Sequence, residues 1–160
     1  MNMNSKYEAI KRFAAEHGDR AELIEHETAI VDLASGAQVF DINQAAATYI
    51  VEAKEDVFAV VASAAAHLKW RQLGRELGLH QIHLAAHGVV KNRTGYDVGT
   101  VGPIFLNGLP MYVDRRLLAH SKVYCGTEDP HHTLAIDPQL IIEHNAIAGY
   151  FNGEDFVKPL

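Results

Sequence analysis

Two short apolar runs near the middle of the chain, "AAATYIVEA" (residues 45–53) and "VFAVVAS" (57–63), do most to limit its fold. Both have the length of a strand and carry β-branched or aromatic residues, and only the polar "KED" lies between them. That pattern predicts a hairpin of two paired strands. Helices are expected around it. "SKYEAIKRFAAEHG" places Tyr7, Ile10, Phe13 and Ala14 at helical spacing, opens on the cap residue Ser5 and stops at Gly18. "AHLKWRQLGRELG" sets Trp70, Leu73 and Leu77 on one helical face and ends at Gly78. Asp137 before Pro138 is an N-cap followed by proline at the first helical position, and it opens a helix over "PQLIIEHNA".

The remaining segments read mostly as strands: "AELIEHE", "QIHLA", "LPMYVD", "SKVYCG" and "HTLAI". "TAIVDLASGAQVFDINQ" suggests a short helix and a loop, and "AHGVVKNRTG" one or two helical turns. Strands and helices alternate without a strict βαβ rhythm, so the expected class is α+β with a mixed sheet. At 160 residues, with no internal repeat or linker, the chain is expected to form one domain over residues 1–160.

No stretch is apolar enough to span a bilayer, and the N-terminus lacks the apolar run of a signal peptide. Neither a membrane nor a disulfide framework is expected, since Cys125 is the single cysteine. These features suit the cytoplasm. A formal charge of −6 disfavours a broad electrostatic grip on nucleic acid.

Ten histidines raise the question of a metal. His80, His83 and His87 are spaced i, i+3, i+7, but "QIHLA" reads as a strand, on which they would not converge. HExxH is absent and Cys125 has no CxxC partner, so no metal or other cofactor is expected. Ser35, Ser63 and Ser121 sit in no GxSxG elbow, and neither a GK[ST] ending nor GxGxxG occurs. Cys125, between a strand and Gly126, reads as a buried small thiol. His131 and His132 follow "GTEDP" in a polar turn, where paired imidazoles are ordinarily solvated but can also serve acid/base chemistry. "GYDVGTVGPIFLNGLPMYVD" (95–114) holds four glycines and two prolines before an apolar strand. Within it, Gly99-Thr100-Val101-Gly102-Pro103 has the composition of a loop whose amides face an acceptor.

The neighbourhood of that loop resembles the signature of the YbaK/EbsC family, the prolyl-tRNA editing domain family. In "RTGYDVGTVGPIFLNGLPMYVDRRLL", Thr94, Gly95 and Tyr96 match the family's TGY-type turn. Gly99 and Pro103 match its GxxxP loop, and "LPMYVD" matches the strand ending in Asp114. The likeness reaches outward from about His26 through "LIEHE", "VFAVVAS" and "VYCG…LAIDPQLI". It implies an α+β domain with a mixed, partly barrel-like sheet surrounded by helices. It also implies metal-free hydrolysis, in trans to a synthetase, of the ester joining a small wrong amino acid to tRNA-Pro. The implied partners are the acceptor end of the aminoacyl-tRNA and a synthetase. The substrate-binding positions would be His26, Ala47, Thr94, Gly95, Tyr96, Gly99, Thr100, Val101, Gly102, Pro103, Asp114 and Gly126.

One position departs from the family. Its lysine at the start of the strand "AAATYIVEA" aligns with Ala47. Lys54 lies at the far end of that strand, roughly 20 Å away at ~3.3 Å per residue, and cannot replace it. His132 and Thr133 are the candidates to carry the chemistry instead, with His26 a second polar residue nearby. The competing reading is a non-catalytic module that keeps the pocket and binds an aminoacyl-nucleotide or a related small molecule. A metal-dependent hydrolase built on the histidines is the least supported of the three.

Overall fold

All seven residues of one strand, β3 (Val57–Ser63), are buried in the computed structural model, which describes residues 5–64 and 67–158. The predicted hairpin is present. β2 (Ala46–Glu52) runs antiparallel to β3, from Ala46 opposite Ser63 to Glu52 opposite Val57. On its other edge β3 pairs in parallel with β6 (Pro110–Asp114), which pairs in parallel with β9 (Ala146–Phe151). A two-residue strand, β5 (His83–Leu84), completes the order β5-β2-β3-β6-β9. A central strand covered on both faces has no solvent side, which is why "VFAVVAS" is apolar throughout rather than alternating. Alternation still sorts its side chains. Val57, Ala59 and Val61 join a core with Ile10 and Phe13 of α1 (Lys6–Glu16). Phe58, Val60 and Ala62 join a second core with Leu73 of α3 (Trp70–Leu77) and with Phe151.

A second sheet is antiparallel, with β8 (His132–Ile136) between β1 (Ala21–Glu25) and β7 (Val123–Cys125). A short pair, β4 (His67–Leu68) with β10 (Val157–Lys158), stands apart. A parallel bridge between Ala45 and Tyr124 joins the two larger sheets, and no closed barrel forms among the described residues. The expected α+β class with a mixed sheet holds.

Helix ends follow local chemistry. The Ser5 hydroxyl accepts the Glu8 N–H at 3.2 Å and starts α1. α3 ends at Gly78, in the left-handed region at φ +73°. The segment after β1 holds α2 (Leu33–Ala37), opened by a reciprocal Asp32–Ser35 capping box. α4 (His87–Thr94) precedes the glycine-rich loop. Asp137 accepts the Gln139 N–H at 2.9 Å and opens α5 (Pro138–Glu143). This helix is shorter than "PQLIIEHNA" suggests, because His144 caps it and Ala146 begins β9. In "AIAGYF", two alanines and a glycine dilute the strand signal, and pairing with β6 decides the conformation.

Candidate active site

The segment after β1, the start of β2, the β5–α4 junction, the Val98–Val101 loop and the facing ends of β7 and β8 enclose a cavity of about 460 Å³. Seven of the expected site residues line it: Ala47, Gly99, Thr100, Val101, Gly126, His132 and Thr133. His26 lies outside the lining and touches it only through Thr133. Thr94, Gly95, Tyr96, Gly102, Pro103 and Asp114 lie outside the lining and build its support.

Each of these supports has an internal partner. The buried Thr94 hydroxyl donates to the Val90 carbonyl at 2.7 Å and accepts the Tyr96 N–H at 3.0 Å. Gly95 caps α4 at φ +83°. The Tyr96 phenol donates to the Ile104 carbonyl at 2.8 Å, and burial pushes its pKa far up. The Pro103 carbonyl accepts from the Asn145 amide at 2.7 Å. Asp114 is wholly buried and accepts the N–H groups of Ser63, Arg116 and Gly153 at 3.2, 3.0 and 3.1 Å. It also takes the Arg116 guanidinium at 2.7 Å, so one carboxylate ties β6 to β3 and to the turn after β9. The loop's composition suggests amides that face an acceptor, yet Gly102 and Gly126 answer to the chain itself. A Cβ on Gly102 would stand 2.8 Å from the Gly126 carbonyl oxygen, and one on Gly126 would stand 2.8 Å from that of Val101. The loop and the end of β7 therefore pack backbone against backbone. Thr100 is likewise tied in, its N–H to the Asp97 carbonyl at 3.2 Å and its carbonyl to the Glu128 N–H at 2.9 Å.

The cavity wall is largely apolar, with Phe40 stacked on Tyr124 at 4.2 Å between ring centres. Polar groups gather at the β7–β8 end. His132 is half-buried against the Tyr7 ring, its Nε2 3.3 Å from a Glu25 carboxylate oxygen. Its Nδ1 lies 3.4 Å from Asp129 Oδ1 but outside hydrogen-bond geometry. Burial disfavours the charged form of Asp129, but the His131 N–H and the neighbouring imidazoles outweigh it and hold its carboxyl below the usual range. Thr133 follows His132 on β8 and so faces the other side of the strand. Its hydroxyl meets His26 Nε2 at 2.9 Å. The two residues expected to share the chemistry thus have separate partners. Burial raises the Cys125 thiol pKa far above its ordinary value, which leaves it a packing group.

No lysine or arginine is among the described residues that line the cavity. Ala47 is in the wall, but alternation along β2 puts its side chain on the face of Tyr49 and Val51. Thr48 shares the face of Ala46 and Ile50, and its buried hydroxyl has no hydrogen-bond partner among the described residues. Sequence reasoning missed Thr48, which period-two alternation beside Ala47 could have flagged. It also missed Phe40, Tyr124 and Asp129, which come from three separate loops or strands and carry no local signal. His80 and His83 pair with Glu55 and Glu52 on the hairpin, and among the described residues no group of three or more metal-ligating side chains comes together.

The model of the aminoacyl-tRNA editing domain family matches residues 25–143. Among solved structures, the chain is similar to a protein described as a "putative trans-editing enzyme for prolyl tRNA synthetase", with TM-score 0.78 and 18% identity over 97% of this chain and 99% of that one. It is similar to the hypothetical protein APE2540, with TM-score 0.75 and 25% identity over 88% and 96% of the two chains. A scaffold protein from computational epitope grafting gives TM-score 0.78 at 16% identity over 99% and 100%. No curated protein matches the sequence.

Proposed function

The chain belongs to the aminoacyl-tRNA editing domain family, and from that premise we propose that it hydrolyses the ester between tRNA and a small, wrongly attached amino acid. The substrate we assign is tRNA-Pro, and the reaction runs in trans to the synthetase. The observation that carries this reading is the cavity. At about 460 Å³ it falls within the ~300–1,000 Å³ of small-molecule sites, the scale of an aminoacyl-nucleoside end rather than of a tRNA arm. Its apolar wall suits a small uncharged side chain and keeps bulk water from the bound ester. Its polar end, with His132, Thr133 and Asp129, supplies hydrogen bonds near the reacting carbonyl. An aminoacyl ester is already activated, so positioning and electrostatic stabilisation can supply much of the acceleration.

The lack of lysine and arginine among the described residues of the lining, with Ala47 at the family's lysine position, favours a second reading: a binding module that holds the same aminoacyl-nucleotide without turning it over. Deacylation assays on a series of mischarged and correctly charged tRNAs, with and without chelator, separate the two. We expect chelator-insensitive release of a small amino acid from mischarged tRNA-Pro, with prolyl-tRNA spared. Tight binding of a non-hydrolysable aminoacyl-adenosine amide without turnover of any ester would establish the binding module instead. Loss of hydrolysis on chelation would point to a metal.

A further inference from the structure

Thr133 lines the cavity, whereas His26 stands behind it, with Glu25, Glu27 and His131 on its outer side. The two side chains meet at 2.9 Å. The direction of that hydrogen bond follows from the other ring nitrogen. His26 Nδ1 is 2.7 Å from the Thr28 carbonyl oxygen, which can only accept, so Nδ1 carries the proton. In the neutral ring Nε2 then has the free lone pair, and the Thr133 hydroxyl donates to it. As donor to His26, the Thr133 oxygen keeps its own lone pairs with which to accept a proton. The arrangement is held from both sides: Ile24 pairs with Thr133 across the sheet, the His26 N–H donates to the His131 carbonyl at 2.9 Å, and the Phe40 ring meets His26 edge-on at 5.9 Å.

We propose that Thr133 and His26 form a proton relay that serves as the general base of the hydrolysis, an inference that rests on the deacylase reading above. A water bound at Thr133 Oγ1 attacks the ester carbonyl carbon. As the new C–O bond forms, the water gives one proton to Oγ1 while the Thr133 proton passes to His26 Nε2. The tetrahedral intermediate collapses by breaking the bond between the acyl carbon and the tRNA terminal oxygen. That oxygen recovers the proton from His26 through Thr133. The products are the free amino acid, carrying the water oxygen, and tRNA with a free hydroxyl. Thr133 touches the reacting water and is catalytic. His26 acts through it, because no described part of His26 lines the cavity.

The test combines kinetics with a structural readout that needs no substrate. Nitrogen-15 NMR of the free protein should show His26 in the Nδ1-protonated tautomer; the Nε2-protonated tautomer would overturn the relay. In deacylation of the best substrate, Thr133→Val and His26→Gln should each lower kcat about a hundredfold or more with KM little changed, as expected for loss of general-base catalysis. The double variant should be no slower than either single one, and Thr133→Ser should keep most of the rate. Wild type should lose activity toward acid, and that limb should vanish in His26→Gln. Glu25, Glu27 and His131 flank the ring, and His132 and Asp129 line the cavity beside Thr133, so an acid limb that persists in His26→Gln would belong to one of these groups and would refute the assignment. Folded variants, checked by thermal denaturation, that match an active wild type would refute the relay alone. A wild type inactive on every ester would remove the deacylase reading and the relay together.

Discussion

Gly102 faces the Gly126 carbonyl across a gap that leaves no room for a methyl group. The Tyr96 hydroxyl, 2.9 Å from the same would-be Cβ, closes the other side, and that phenol is itself anchored to Ile104. Neither neighbour is the free end of a flexible side chain, so Gly102→Ala must push backbone. We expect it to destabilise the fold by about 1–3 kcal/mol, the usual range for overpacking, read as a lower denaturation midpoint. Gly99 differs. It lines the cavity at φ +93°, with the Val31 carbonyl 3.2 Å from a built Cβ, so its substitution acts on conformation and on the cavity wall together. The sequence displays both glycines in one motif. It does not show which approaches a ligand and which approaches another strand, because Gly126 lies more than twenty positions away along the chain.

The β2–β3 hairpin is fastened to the end of α3 by one carboxylate in its turn. Glu55 accepts the His80 N–H at 2.9 Å and meets the His80 ring at 2.5 Å, while the Lys54 N–H donates to the His80 carbonyl at 2.8 Å. The His80 N–H, followed by its ring, holds the Glu55 pKa at about 2, below its ordinary 4.5. A carboxyl whose pKa is lowered by folding binds protons more weakly in the native state, so acid favours unfolding. The stability it contributes is fully present above about pH 4.5 and is lost as pH falls toward 2. A side-chain NMR titration should find Glu55 titrating near 2, and Glu55→Gln should flatten this part of the acid-unfolding curve. A Glu55 midpoint near 4.5 in the folded protein would show that the contact does not persist in solution. The turn's polarity was legible as a break between strands; its partner after α3 was not, since that contact exists only once the helix has docked.

At the scale of the molecule, a formal charge of −6 and a cavity lined by no described lysine or arginine limit how nucleic acid can be held. Contact confined to the single-stranded acceptor end would neutralise few phosphates. The slope of log K against log salt for aminoacyl-tRNA binding should then be shallow, about −0.7 for each phosphate neutralised. A slope many times steeper would reveal an extended footprint on a local basic face. Weak electrostatic capture also fits a site that selects by the shape of the aminoacyl end, where apolar contact and hydrogen bonds to the ester discriminate.

The sequence by itself determined what depends on neighbours along the chain. The β2–β3 hairpin, the Ser5 and Asp137 caps, the Gly78 stop and the glycine-rich motif were all legible, because strand pairing across a short turn and helix capping involve residues a few positions apart. Tertiary structure decided the rest. β9 is a strand because β6 lies beside it, and Asp114 is buried because donors from β3 and from the turn after β9 converge on it. Thr133 and His26 are 107 positions apart and become a pair only when β1 and β8 register against each other. Local propensity fixes an element, but a site is made of groups that long-range pairing brings within hydrogen-bond reach.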